Sequence, residues 1–288
     1  MEIVTVTHTF DSPIDTVWHA LSDGNELKKW YFPVQNYVFE IGKEFTFYES
    51  DSSHHYLHQC QFLNIIPQQL IEYSWAHPNH SKGSSVVKWE LQDEGGTKTK
   101  LTLTHTGVEN FADAGPDFSK TNYEMGWNAI VKTTLRNYLY GIKKLVFEID
   151  INATKEKVWA ALWGKESYTA WTKPFCEGSY YEGELALGNR VHLLSPSGEG
   201  MYSDIAFFKE NELMVFKHIG MLKEKKELSL DAETEKWTGS FESYMLKETS
   251  GTTQLKVEVD TIGSYVDWMN NVFPLALSEL KKIAETNY

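Results

Sequence analysis

Val17-Trp18-His19-Ala20-Leu21, followed by Trp30 and Pro33, recurs as Val158-Trp159-Ala160-Ala161-Leu162, followed by Trp171 and Pro174. Each landmark of the second set lies 141 residues after its partner, and Trp127 recurs at the same offset as Trp268. A period of that size is too long for a solenoid repeat and matches one domain length. The chain therefore reads as two copies of one domain, 1–142 and 143–288, with almost no linker between them. Features present in both copies are expected to be scaffold, the Val-Trp helix and the late Trp included. Features of one copy alone are the candidates for function.

The residues around the repeated stretch specify its local structure. Residues 2–10 alternate, with Val4, Val6, His8 and Phe10 on one face and Ile3, Thr5, Thr7 and Thr9 on the other, as in a strand with one buried face. Ser12 is placed to cap a helix, Pro13 to open it and Asp15 to favour its N-terminal end. Ile14, Val17, Trp18 and Leu21 then form one apolar stripe, which puts Trp18, and by repetition Trp159, in the core. A short second helix ends before Pro33. Strands are expected near 43–49, 54–65, 68–75, 84–92 and 98–106, separated by turn signals such as Gly95-Gly96. A long helix follows over 122–140. Its periodicity is moderate, with Ile130, Thr134, Asn137 and Gly141 a clearer inner face than Met125, Ala129, Lys132 and Arg136. The second copy repeats the order, with strands near 145–151, 190–194, 200–209, 213–218, 237–246 and 253–260. Its final helix, over 265–285, carries Trp268, Val272, Leu275, Leu280 and Ile283.

Composition narrows the function classes. Of 288 residues, 41% are hydrophobic and 14% aromatic, enough to fill two cores or to wall a cavity with rings. The net charge of −13 divides almost evenly between the copies and includes no basic stripe, which argues against nucleic acid and anionic membranes as partners. Cys60 and Cys176 support neither a disulfide framework nor a thiolate zinc site, and neither has a repeated His partner. No signal peptide and no apolar run of membrane-spanning length is visible, so a cytoplasmic protein is expected, without membrane insertion. No Gly-x-Ser-x-Gly elbow or phosphate-cradling loop occurs, and no cofactor is expected. Glu72 and Glu90 belong to solvated faces.

A strand, two short helices, a run of antiparallel strands and one long terminal helix make an α+β arrangement, and the long helix is the element able to cover the sheet. Ser12-Pro13 through Leu21, Trp30, Pro33, Gly42 with Phe45 and Phe47, Gly95-Gly96-Thr97 before Leu101 to Gly107, and Gly126-Trp127 together resemble the SRPBCC superfamily, the START-like or helix-grip fold. Within it, the chain is most similar to the family named for the activator of the heat-shock-protein-90 ATPase. The second half is similar but more divergent, through Asn152-Ala153-Thr154, Val158 to Leu162, Trp171, Pro174, Ser250-Gly251-Thr252 and Trp268. The resemblance implies, in each half, a curved antiparallel sheet of about seven strands gripping a long C-terminal helix over an apolar cavity. It also implies binding of a lipid-like or other hydrophobic small molecule, which the asymmetry between the copies places mainly in the first domain. The lack of a catalytic motif makes binding without catalysis the expectation. The alternatives are a protein-interaction or chaperone-linked module with filled cavities, and an enzyme using His105 as acid or base.

Candidate ligand contacts follow from strand alternation and from asymmetry between the copies. Phe47, Trp75 and Trp89 in the first, and Phe216, Trp237 and Phe241 in the second, are expected to point from strand faces towards the long helix. Trp30 and Trp171 are placed near a cavity mouth by the resemblance. Eight of the ten His lie in the first copy. Among them His8 and His105 fall on apolar strand faces where the second copy has Ile149 and Val259, so each is either a polar ligand handle or a packed, satisfied His. His54, His55 and His58 raise the question of a metal. On one strand, however, His54 and His58 would stand about 13–14 Å apart, and no metal is expected.

Overall fold

The first half opens with β1 (Ile3–Phe10), which buries Val4, Val6 and Phe10 as its alternation requires. Helix α1 (Ile14–Ser22) buries Val17, Ala20 and Leu21. Helix α2 (Gly24–Trp30) is capped by Asp23, whose carboxylate accepts from the backbone N–H of Asn25 and Glu26. Then come β2 (Glu44–Ser50), β3 (His55–Ile66), β4 (Leu70–Ala76), β5 (Ser84–Asp93) and β6 (Thr99–Thr106). These strands form a six-stranded antiparallel sheet in the order β1-β6-β5-β4-β3-β2. Gly107, at φ 83°, takes the left-handed turn out of β6. Two 3₁₀ segments, Val108–Ala114 and Pro116–Phe118, lead to α3 (Lys120–Ala129), which runs through a π-helical stretch, Ile130–Leu135, into α4 (Arg136–Leu139). This computed structural model describes residues 2–50 and 55–286. The chain divides into two units, Met1–Leu139 and Tyr140–Tyr288.

The second unit has β7 (Ile142–Ile151), α5 (Lys155–Trp163), α6 (Lys165–Trp171), β8 (Tyr180–Glu182), β9 (Arg190–Leu194), β10 (Gly200–Lys209), β11 (Leu213–Lys223), β12 (Lys226–Glu227), α7 (Ala232–Trp237), β13 (Phe241–Thr249), β14 (Thr252–Ile262) and α8 (Val266–Glu285). Its sheet has eight strands, ordered β7-β14-β13-β11-β10-β9-β8, with β12 paired to β11. Each unit is thus an antiparallel sheet with two short helices after the first strand and one long helix at the end.

Strand register aligns the two units residue by residue. Val4 pairs with His105, and Leu145, 141 residues after Val4, pairs with Val259. The next strands place Val87 opposite His105 and Glu242 opposite Val259. Beyond these, Trp75 pairs with Ser85 and with Cys60, while His218 binds the Ser240 carbonyl and pairs with Ser203. One buried tie is also repeated. Thr99 Oγ1 donates to the Ser12 carbonyl, and Thr253 Oγ1 to the Ala153 carbonyl, each at 2.7 Å.

Several expectations are corrected. Trp237 ends α7 instead of opening a strand, because Asp231 caps that helix by accepting from Thr234 N–H and Gly239 then turns the chain at φ 89°. Trp127 is 2% exposed but Trp268 is 42% exposed, so the late Trp is scaffold in the first unit only. Trp18 and Trp159 lie at the edges of their cores, half-buried. The inner face of the first long helix is Trp127, Val131, Leu135 and Arg136, and Met125 points outward. The π-helical stretch widens the turn to more than four residues, which a 3.6-residue count cannot anticipate. In α8 the inner face is Phe273, Ala276, Leu277, Leu280 and Ala284, with Leu275 exposed.

Candidate functional site

In the first unit the sheet and the long helix flank a half-open pocket of about 310 Å³. Its sheet side is built by Glu49, Tyr56 and His58 on β2 and β3, with Trp75 and His77 at the end of β4. Its helix side is Asn122, Tyr123, Gly126, Trp127 and Ile130. Phe32, Asp117 and Phe118 complete the wall. Period-two alternation puts His58 on the inward face with Cys60 and Phe62, and puts His77 on the same face as Tyr73 and Trp75. Asp117 and Phe118 are supplied by the segment 107–119 between β6 and the long helix. In the second unit only Gly263–Tyr265 separates β14 from α8. There Phe273 is buried and packs at 4.6 Å against Phe147 and 4.8 Å against Phe175.

Indole N–H groups, which only donate, fix the protonation pattern around the cavity. Trp127 Nε1 donates to His105 Nδ1 at 3.0 Å, so the hydrogen of His105 sits on Nε2 and is given to Ser85 Oγ at 2.7 Å. Trp75 Nε1 donates to His77 Nε2 at 3.0 Å, and Tyr123 O–H points to the same atom at 2.7 Å, which leaves the hydrogen on His77 Nδ1. Burial holds both imidazoles down to about 3, with neighbouring His58 adding to the effect, so both are neutral near pH 7. Burial also lowers His58, whose ring stacks on Phe47 at 4.5 Å while its Nε2 lies 3.5 Å from Glu49 Oε2. Tyr56 O–H donates to Asp117 Oδ2 at 2.7 Å, and Asn122 Nδ2 donates to the Pro116 and Asp117 carbonyls.

Of the residues read in the sequence as ligand contacts, only Trp75 lies in the wall of this cavity. Phe47 stands directly behind it, fully buried against Phe32 at 5.1 Å and against His58. Trp89 and Trp30 line a separate apolar void of about 30 Å³, Trp89 donating to Tyr73 O–H at 2.9 Å. Trp30 and Trp171 are struts, each donating its indole hydrogen at 3.0 Å to a carbonyl of the preceding helix, at Ala20 and Leu162 respectively. His105 is fully buried behind Trp127 with both nitrogens engaged. His8 is half-buried against Phe10, and burial together with Arg136 and Lys132 lowers its pKa. In the second unit Phe216 packs on Trp163 at 5.5 Å, while Phe241 and Trp237 are half-buried outside that contact. His54 lies outside the described residues, and among those described no group of three or more His, Cys, Asp or Glu is arranged to hold a metal ion.

Sequence reading singled out neither His77 as a cavity residue nor His58 except as a metal ligand. Continuing the alternation Tyr73-Trp75 by two residues would have found His77. The second unit also has an internal polar group of its own. Ser203 Oγ lies 2.8 Å from His218 Nδ1, His218 Nε2 lies 3.2 Å from Glu242 Oε2, and Tyr244 O–H donates to Glu242. His218 holds the place of Trp75 and Glu242 that of Val87.

Residues 11–140 match the family described as Activator of Hsp90 ATPase homolog 1-like protein. Both units have the helix-grip fold. Among solved structures, this tandem helix-grip chain is similar to the di-domain ARO/CYC BexL from the BE-7585A biosynthetic pathway. The identity is 11% over 99% of this chain and 98% of that one, with a TM-score of 0.41. It is also similar to the Aha1 dimer from Colwellia psychrerythraea (19% identity, 50% of this chain and 97% of that one, TM-score 0.39). A third likeness is CalU16 from Micromonospora echinospora (20% identity, 48% and 75%, TM-score 0.37). No curated protein matches the chain. Among the described residues no helix is long and apolar enough to cross a membrane.

Proposed function

We propose that the first domain binds a hydrophobic small molecule in the cavity between its sheet and its long helix, without catalysis. The observation that carries this reading is the cavity itself. A space of about 310 Å³ lined by Phe32, Trp75, Phe118, Trp127 and Ile130 is at the lower end of small-ligand sites. It takes a compact ring system more readily than a long acyl chain. The binding is assigned to the first domain because the pocket between sheet and long helix lies there. Acid-base chemistry at His105 is disfavoured, since both of its nitrogens are committed to Ser85 and Trp127.

Native mass spectrometry of the protein purified from cells, paired with displacement of a fluorescent apolar probe, tests the reading. A co-purifying small molecule, or a probe displaced at one site per chain, is expected. A clean unliganded mass together with no probe binding would overturn it.

A further inference from the structure

We infer that the pocket takes a compact organic amine, its apolar body among the rings of the wall and its ammonium group at the mouth against the carboxylates of Glu49 and Asp117. This inference rests on the binding proposed above and adds the charge of the ligand.

The wall carries charge of one sign. Glu49 and Asp117 belong to it, and no Lys or Arg does. The two acids are held beside the same ring. Glu49 is the register partner of Tyr56 across β2 and β3, and Asp117 Oδ2 accepts the Tyr56 hydroxyl hydrogen at 2.7 Å. Alternation along β2 puts Glu49 on the inward face after the buried Phe45 and Phe47. Glu49 and Asp117 are nevertheless exposed, which places them at the mouth of the pocket and not in its depth. Neither is neutralised from within the protein. Among the described residues no Lys or Arg forms an ion pair with either, and Lys120, three residues beyond Asp117, pairs with Glu124 at 3.5 Å. His58 Nε2 lies 3.5 Å from Glu49 Oε2, but burial lowers the pKa of that imidazole and leaves it neutral near pH 7.

Three physical terms then favour one class of ligand. Uncompensated carboxylates at the mouth attract a cation and oppose an anion, which disfavours fatty acids and aromatic acids alike. An ammonium at an exposed mouth keeps part of its hydration, so it gains this attraction without the cost of burying a charge. The wall rings, among them Phe32, Tyr56, Trp75, Phe118 and Trp127, act in the same sense, because the negative face of an aromatic ring attracts an organic cation. A neutral ligand would gain nothing from the carboxylates.

Isothermal titration calorimetry of the intact chain near pH 7 tests the inference with three probes of similar shape: 1-naphthylmethylamine, 1-naphthylmethanol and 1-naphthoate. The amine is expected to bind about tenfold more tightly than the alcohol, with 1-naphthoate weakest. Raising the salt from about 0.05 M to about 0.5 M should shrink the amine's advantage and leave the alcohol unchanged. Glu49→Gln and Asp117→Asn should each reduce the advantage to about threefold and together remove it, with alcohol affinity kept within about twofold. Glu94→Gln, in the turn between β5 and β6, should leave all three affinities unchanged. Equal binding of amine and alcohol to the unaltered protein, or tightest binding of 1-naphthoate, would overturn the amine reading and leave the broader ligand-binding reading standing. An advantage that survives the double substitution would overturn it too, tracing the effect to the net charge of −13 over the whole chain. Failure of all three probes to bind would overturn both readings. If a variant fails to fold, the probe series on the unaltered protein still decides.

Discussion

Ser85 Oγ accepts the Nε2 hydrogen of His105, and its counterpart Ser240 Oγ is buried with no partner among the described residues. The difference has a single cause, Val259 standing where the first domain has His105. Removing the first hydroxyl strands a buried imidazole N–H, whereas removing the second only deletes an unsatisfied group. Ser85→Ala should therefore cost about 1–3 kcal/mol, and Ser240→Ala should be neutral or stabilising by up to about 1 kcal/mol. The measurement is the shift in urea midpoint of the transition belonging to the substituted domain. A loss of stability on Ser240→Ala would contradict the assignment. The sequence placed His105 on an apolar face correctly, because alternation along a strand needs no tertiary knowledge. It could not show that Ser85 and Trp127 consume both ring nitrogens. Nor could it show that His58 and His77, nineteen residues apart, meet across a strand pair.

The long helices teach a related lesson about elements. Trp127 and Trp268 share one repeat position, yet one closes a cavity and the other stands at the surface beside Phe175 and Tyr265. Two features below the resolution of a sequence pattern separate them. The segment 107–119 delivers the first helix by a longer route, and the π-helical stretch Ile130–Leu135 resets which residues face the sheet. Ser12, read as a cap, makes no capping hydrogen bond: the residue before α1 is Pro13, and the Ser12 carbonyl accepts from Thr99 instead. The order of elements was still legible because turns and alternation are local. The helix faces were not, because a widened turn is imposed by what the helix packs against. Trp127→Ala should cost about 3–5 kcal/mol, the usual range for a buried aromatic, with the loss of its bond to His105 included. Trp268→Ala should cost less than about 1 kcal/mol, since an exposed ring forfeits little burial. Thermal denaturation of the two variants side by side checks this, and comparable losses would mean that the second ring is also part of a core.

Across the whole chain, buried titratable groups are divided unequally, and that division sets a pH dependence. In the first domain His58, His77 and His105 are all held below the ordinary value of 6.5, chiefly by burial, the latter two to about 3. Such groups bind protons more readily in the unfolded chain. Their contribution to stability is thus complete above pH 6.5 and is lost as pH falls from there towards about 3. Each fully titrating His weakens the fold by up to about 1.4 kcal/mol per pH unit in that window. In the second domain the corresponding buried acid is Glu242. Burial alone would raise its pKa, but hydrogen bonds from His218 and Tyr244 and the charge of His218 outweigh burial and hold it below the ordinary carboxylate value of 4.5. The stability it contributes is present above 4.5 and begins to be lost only below that. Calorimetry at pH 7.5 and at pH 5.5 should accordingly show one domain's transition moving down by several degrees while the other stays within a degree or two. His77→Phe should shrink the movement, and two transitions that shift together would show that the buried histidines do not govern it.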